Sequence, residues 1–258
     1  MSPHRSRHLR LLAAATAAAV VTAAPALAQS FSAPQRTEIE SIVREYIVQH
    51  PEVLQEAIAE LEKRQSVAEA AKAKEAIKSH AQALFNSSRQ VVVGNPHGDV
   101  TLVEFFDYNC GYCKRALADL MDLIKTDNKL KVVLKEFPVL GPGSVEAAQV
   151  AVAVRMQDKG GQKYLQFHQK LLGGRGPADK AHALAAAKDV GLDMARLEKD
   201  MASPEVHATI DESMKLAEAL GLNGTPSYVV GEDVVVGAVG LPALREKVST
   251  ARCGKESC

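Results

Sequence analysis

Apolar positions along the chain first follow a helical period. Ile39, Ile42, Val43, Tyr46 and Ile47 fall at i, i+3, i+4, i+7 and i+8, the stripe of an amphipathic helix. Thr37 with Glu40 makes a capping box at its start. His50-Pro51 ends it, because the residue before a proline is pushed out of the α region. Pro51 suits the first turn of a second helix, with Val53, Leu54, Ile58 and Leu61 on its apolar side. Residues 65–85 are rich in Ala, Lys and Glu, which favours helix but leaves a thin apolar face, and residues 86–88 (Asn-Ser-Ser) read as loop.

The period then shortens. Residues 90–93 are rich in β-branched side chains, 94–99 (Gly-Asn-Pro-His-Gly-Asp) form a turn cluster, and 100–106 read as a buried strand. A helix over 111–127 and a strand over 131–137 complete a β-α-β unit, which implies parallel strands. Residues 144–222 are helical throughout, broken at Gly160-Gly161, at 173–177 and at Gly191. Strands at 227–230 and 233–239 flank Gly231-Glu232, and a last helix covers 242–252. The fold class is therefore α/β: one domain over 89–258 with a helical insert at about 144–222, preceded by a helical segment and linker over 29–88.

Composition narrows the function. Equal numbers of basic and acidic residues, 31 each, argue against a nucleic-acid binder. A charged fraction of 24% beside 47% hydrophobic residues argues against disorder. Arg5, Arg7 and Arg10 precede an apolar run over 11–24 and an Ala26-Leu27-Ala28 site, the layout of a cleaved signal peptide over 1–28. The run is too short to span a bilayer comfortably. Export implies an oxidising compartment, so the four cysteines are read first as redox or disulfide residues.

Cys110-Gly111-Tyr112-Cys113 lies between a strand and a helix, where C-x-x-C signals a thioredoxin-like redox pair. Unpaired N–H groups and the positive dipole end at a helix N-terminus favour thiolate over thiol. An accessible first cysteine attacks and an inner second one resolves the mixed disulfide. A zinc site needs two further ligands, and His50, His80, His97, His168, His182 and His207 are scattered without ligand spacing. Thr225-Pro226 precedes a strand, where a thioredoxin-like fold sets a cis-proline against the C-x-x-C. Glu104 lies in the apolar strand and Lys135 in the next one. Two readings stand: a buried pair relaying protons to Cys113, or solvated strand-end charges. Cys253 and Cys258 are a local disulfide staple, free thiols, or a secondary metal or redox site, and an exported chain favours the staple.

Residues 103–113 (Val-Glu-Phe-Phe-Asp-Tyr-Asn-Cys-Gly-Tyr-Cys), 136–141 (Glu-Phe-Pro-Val-Leu-Gly) and 224–227 (Gly-Thr-Pro-Ser) resemble the DsbA-like thioredoxin-fold oxidoreductases. Residues 42–47 and 50–54 resemble the N-terminal domain of the suppressor-of-copper-sensitivity protein C (ScsC) group. The resemblance implies thiol–disulfide exchange with protein substrates, Cys110 as nucleophile and Cys113 as resolving thiol. It implies a periplasmic location, a membrane redox partner that resets the dithiol, and a homo-oligomer, trimeric in some members, held through residues 37–85. The chemistry belongs to the dithiol and calls for no organic cofactor. The rival reading is a periplasmic copper-binding or metal-tolerance protein using the same thiolates, which suit copper(I). The Cys253/Cys258 pair falls outside the resemblance.

Overall fold

The computed structural model describes residues 31–258 apart from Lys159, so the expected signal peptide lies outside the described residues. The chain divides into two units, Met1–Ile58 and Ala59–Cys258.

In the first unit, helix α1 (Ala33–Gln49) starts earlier than the sequence pattern predicts. Ser32 is its N-cap, its backbone N–H donates to Gln35 Oε1 at 2.9 Å, and Pro34 lies in the first turn. Those start signals override Thr37, whose hydroxyl donates instead to Ala33 O one turn back. The helix ends just before Pro51, as expected. Ile39, Ile42, Val43 and Tyr46 are all exposed, as are Val53, Leu54 and Ile58 at the start of α2 (Glu52–Ser79).

The second unit is built on a five-stranded sheet. Its strands are β1 (Val91–Gly94), β2 (Val100–Phe106), β3 (Leu130–Glu136), β4 (Ser227–Val230) and β5 (Asp233–Val236), in the order β1-β3-β2-β4-β5. β2 and β3 run parallel, from Val100 opposite Leu130 to Phe106 opposite Glu136, joined by α4 (Gly111–Thr126). The other three pairings are antiparallel. β5 stops at Val236, short of the expected 239: Gly237 N still donates to Pro226 O at 2.8 Å in the ladder register, but its φ of +92 leaves the extended conformation.

Alternation along the strands separates two cores. Leu102, Phe106, Val132 and Leu134 face the larger one, with α4, α10 (Leu241–Cys253) and insert helices α5 (Pro142–Gln157), α6 (Gln162–Leu172), α7 (Lys180–Asp189) and α8 (Met194–Met201). Val103, Phe105 and Val133 face the smaller one, under α9 (Pro204–Ala219) and α3 (Ala81–Phe85). The insert helices run from Pro142 to Ala219. Gly161, at φ +74, is needed where α6 begins, since a Cβ there would meet Val92 O at 2.5 Å.

Over residues 65–85 the thin apolar face is packed against the sheet. Ile77 at the end of α2 and Leu84 in α3 are buried in the smaller core. Both faces of this sheet are apolar, so one of them needs a cover that the thin stripe of α2 and α3 supplies. Lysines fasten that cover: Lys135 Nζ donates to Ala83 O and Lys131 Nζ to Phe85 O, each at 2.7 Å.

Candidate active site

The turn leaving β2 delivers residues 107–110 to the N-terminus of α4. Cys110 is the N-cap, with extended backbone (φ −76, ψ 115), and its carbonyl accepts the first helical bond from Lys114 N at 3.0 Å. Cys113 is one turn in and fully buried, whereas Cys110 keeps 6% of its surface exposed. Both are free thiols. The Cys110 thiol donates to Thr225 O at 3.1 Å, and the Thr225–Pro226 peptide bond is cis. The four residues picked from two distant segments thus converge on one sulfur. Burial, then the charges of Glu104 and Cys110, pushes the Cys113 thiol well above the ordinary thiol range, with a bond to the Asp107 backbone offsetting part of it. A thiol so held keeps its proton until a base receives it.

Glu104 stands on the Cys113 side of the sheet and is buried. Desolvation pushes its carboxyl up to about 8, partly offset by Tyr228, its register partner on β4. Its Oε2 has no hydrogen-bond partner. The expected pair with Lys135 is not formed. In the parallel register Glu104 lies opposite Leu134, so Lys135, one residue on, points to the other face. There its Nζ meets Ala83 O at 2.7 Å and Glu212 Oε1 at 3.5 Å. Burial lowers it to about 8 in spite of Glu212. Lys135 therefore leaves the candidate site, and Glu104 stays. The alternative of solvated strand-end charges fails too, since both side chains are buried.

Two polar groups that the sequence did not single out shape the site. Asp107 accepts four hydrogen bonds: Oδ1 from Asn109 N (2.8 Å) and Ser144 Oγ (2.7 Å), Oδ2 from Val139 N (2.8 Å) and Leu140 N (2.9 Å). The Asn109 amide bridges onward, exchanging two 2.8 Å bonds with the backbone of Ala178. Three loops from distant parts of the chain are thereby fixed around Cys110. Behind them Glu136 Oε1 accepts from Tyr164 Oη at 2.5 Å, and Tyr108 Oη lies 3.4 Å from both Tyr164 Oη and His168 Nδ1. Burial raises Glu136 to about 8 and lowers His168 to about 3. The sequence signal for Asp107 and Asn109 was their position flanking Tyr108 just before Cys110; their partners, 32 to 69 residues away, were not readable.

Cys253 and Cys258 form a disulfide five residues apart. Arg252 beside it binds Asp99 and Asp127, each at 2.9 Å, at the start of β2 and the end of α4. That is the opposite end of both elements from Cys110, so the pair is no part of the site. Among the described residues no three His, Cys, Asp or Glu side chains gather as a metal site.

The geometry agrees with comparisons to known proteins. A DSBA-like thioredoxin domain profile matches residues 101–249, and a Copper resistance protein ScsC N-terminal domain profile matches 35–68. A thioredoxin-like oxidoreductase structure from Silicibacter pomeroyi DSS-3 is 47% identical, with a TM-score of 0.63 over 66% of this chain and 96% of that one. ScsC from Proteus mirabilis, in a transitional conformation, is 28% identical, with a TM-score of 0.63 over 87% of this chain and all of that one. Among curated relatives, Na(+)/H(+) antiporter NhaA 1 of Salinispora arenicola is 27% identical over 168 residues, 64% of this chain. The chain spans only about a quarter of the length of that relative. With C-x-x-C at a helix start, an X-Pro turn facing it and a family match over more than half the sequence, the chain belongs to the DsbA-like thioredoxin domain family and carries a ScsC-type N-terminal domain.

Proposed function

We propose that this chain is an exported, periplasmic thiol–disulfide oxidoreductase that exchanges disulfides with protein substrates through Cys110 and Cys113. One observation carries the reading: the Cys110 thiol sits at the start of α4 on the Thr225 carbonyl, with Cys113 buried one turn behind.

In reduction of a client, the Cys110 thiolate attacks one client sulfur. An S–S bond forms between them and the client's other sulfur leaves as thiolate, taking up a proton. Cys113 then loses its proton to the ionised form of Glu104 and attacks Cys110 Sγ. The internal disulfide forms, the mixed disulfide breaks, and the second client sulfur departs as thiolate. Oxidation of a dithiol runs the same steps backwards. Burial holds the Glu104 carboxyl at about 8, so the ionised fraction that can accept this proton grows as pH approaches 8. A membrane redox partner resets the dithiol. The layout of residues 1–28 supports export.

The exposed apolar residues Ile39, Ile42, Val43 and Tyr46 of α1 support self-association, with a trimer expected. An oligomer presenting several dithiols to one client favours reshuffling of wrong disulfides. Insulin reduction and recovery of a scrambled-disulfide substrate test the chemistry, with light scattering for assembly. Cys110→Ser should abolish exchange and Cys113→Ser should accumulate mixed disulfide. Full insulin reduction by Cys110→Ser would overturn the exchange reading, and a micromolar monomer the assembly reading.

A further inference from the structure

We propose that a basic lip beside Cys110, formed by Lys114, Arg115 and Arg175, selects client segments that carry acidic residues next to their reacting cysteine. The inference rests on the exchange reading above and adds the chemistry of the client.

The lip is a built feature. Lys114 Nζ donates to the carbonyls of Gly174 (3.4 Å) and Gly176 (3.2 Å), tying the loop on either side of Arg175 to the first turn of α4. Two residues on, Ala178 is bonded through both N–H and C=O to Asn109, the neighbour of Cys110. Loop 174–178 therefore runs alongside the reactive thiol from Lys114 to Asn109. Its glycines are demanded by the backbone: Gly176 has φ +88, and a Cβ on Gly173 would meet Gln169 O at 2.7 Å. Arg175 is exposed between them. On the same turn of α4, the Arg115 guanidinium stacks 4.2 Å from the centre of the Tyr112 ring, itself 59% exposed.

Among the described residues none of these three cations has an ion-pair partner. The acids of the surrounding loops are engaged elsewhere. Asp107 is buried and accepts four hydrogen bonds, Asp179 caps α7 and bonds His182, and Glu146 accepts from Lys180 N. A client strand laid along Thr225 toward Cys110 thus passes cations that lack counter-charges. Complementary charge at such a rim speeds encounter and selects partners more than it tightens the final complex.

Three peptides test this with the full chain, each holding one disulfide-linked cysteine flanked by Glu-Glu, Gln-Gln or Lys-Lys. Stopped-flow rates of reduction are read at low salt and at about 0.5 M salt, where screening acts within a few ångströms. The Glu peptide should react about fivefold faster than the Gln peptide, the yield of one or two exposed charge pairs, and the Lys peptide should be slowest. High salt should close the gap, and Arg175→Glu should narrow or invert the order. Equal low-salt rates for all three peptides, or an order untouched by Arg175→Glu, overturns the lip. Co-sedimentation with anionic phospholipid vesicles, without preference among peptides, assigns the lip to a membrane and likewise overturns it. If no peptide reacts, the Gln one included, the exchange reading itself falls and this inference with it.

Discussion

Replacing Glu104 by Gln should halve the loss of stability that this protein undergoes between pH 6.5 and 8. Burial raises Glu104 and Glu136 from 4.5 to about 8. From about pH 4.5 to about 8 the folded chain therefore holds two protons that the unfolded chain has released, and stability falls as pH rises through that window. Each proton is worth about 1.4 kcal/mol per pH unit. His168, lowered from 6.5 to about 3, acts with the opposite sign, but only below 6.5, where the unfolded imidazole binds a proton that the folded one refuses. Between 6.5 and 8 the two carboxyls act unopposed, giving a slope of about −3 kcal/mol per pH unit and a total loss of about 4 kcal/mol. Above 8 the lowered Lys135, which titrates at 10.5 when free, reverses the trend, so stability has a minimum near pH 8. Gln carries no proton in either state. The slope between 6.5 and 8 should drop to about −1.4 kcal/mol per unit, whatever constant offset its amide adds by bonding well or badly inside. Urea midpoints at half-unit steps from pH 5 to pH 9, wild type against Glu104→Gln with both cysteines reduced, measure the two slopes. Parallel lines would show that Glu104 ionises in the folded protein as it does in water and that burial does not hold a proton on it.

Other expectations follow from packing. Asp107→Asn turns part of a four-fold acceptor into a donor facing donors, and should lower stability by about 2–4 kcal/mol in urea denaturation; a loss below about 0.5 kcal/mol would show that the loops hold without it. Replacing Cys253 and Cys258 by Ser should cost about 2 kcal/mol, the entropy of so short a loop, and leave exchange at Cys110 intact; activity falling with that of Cys110→Ser would make the tail a relay. A chain beginning at Gln90 lacks Ile77 and Leu84 and should lose at least about 3 kcal/mol relative to one beginning at Ala59, read by thermal melting. Equal midpoints would mean that the smaller core closes without its cover.

What the sequence revealed and what it hid have a common physical basis. β2 was readable to the residue because seven apolar-rich positions lie between a turn cluster and the C-x-x-C, and α4 because its start coincides with Cys110. Thr225-Pro226 was readable by its place before a strand. Information carried by pairing was not. Whether Glu104 and Lys135 meet depends on register, and a shift of one residue sends a side chain through the sheet. The cover over Val103 and Phe105 was hidden for a related reason. Ile77 and Leu84 supply few apolar contacts by sequence count, and only the sheet's exposed second face makes them core. Asp107 looked like one acid in a polar turn, since three of its four donors come from chain 32 to 37 residues away.

The bonds from Asp107 to the Val139 and Leu140 amides bear on how this surface meets a flexible client. Those two side chains are 42% and 53% exposed, yet their backbone is clamped to a buried carboxylate. Their amides should exchange with deuterium as slowly as those of the sheet, although the residues lie on an open loop. Greasy contacts on an already ordered backbone lose little motion when a client arrives, so what binding gains there is not spent on freezing the loop. A landing surface that is rigid underneath and loose on top suits the brief contacts of the exchange proposed above.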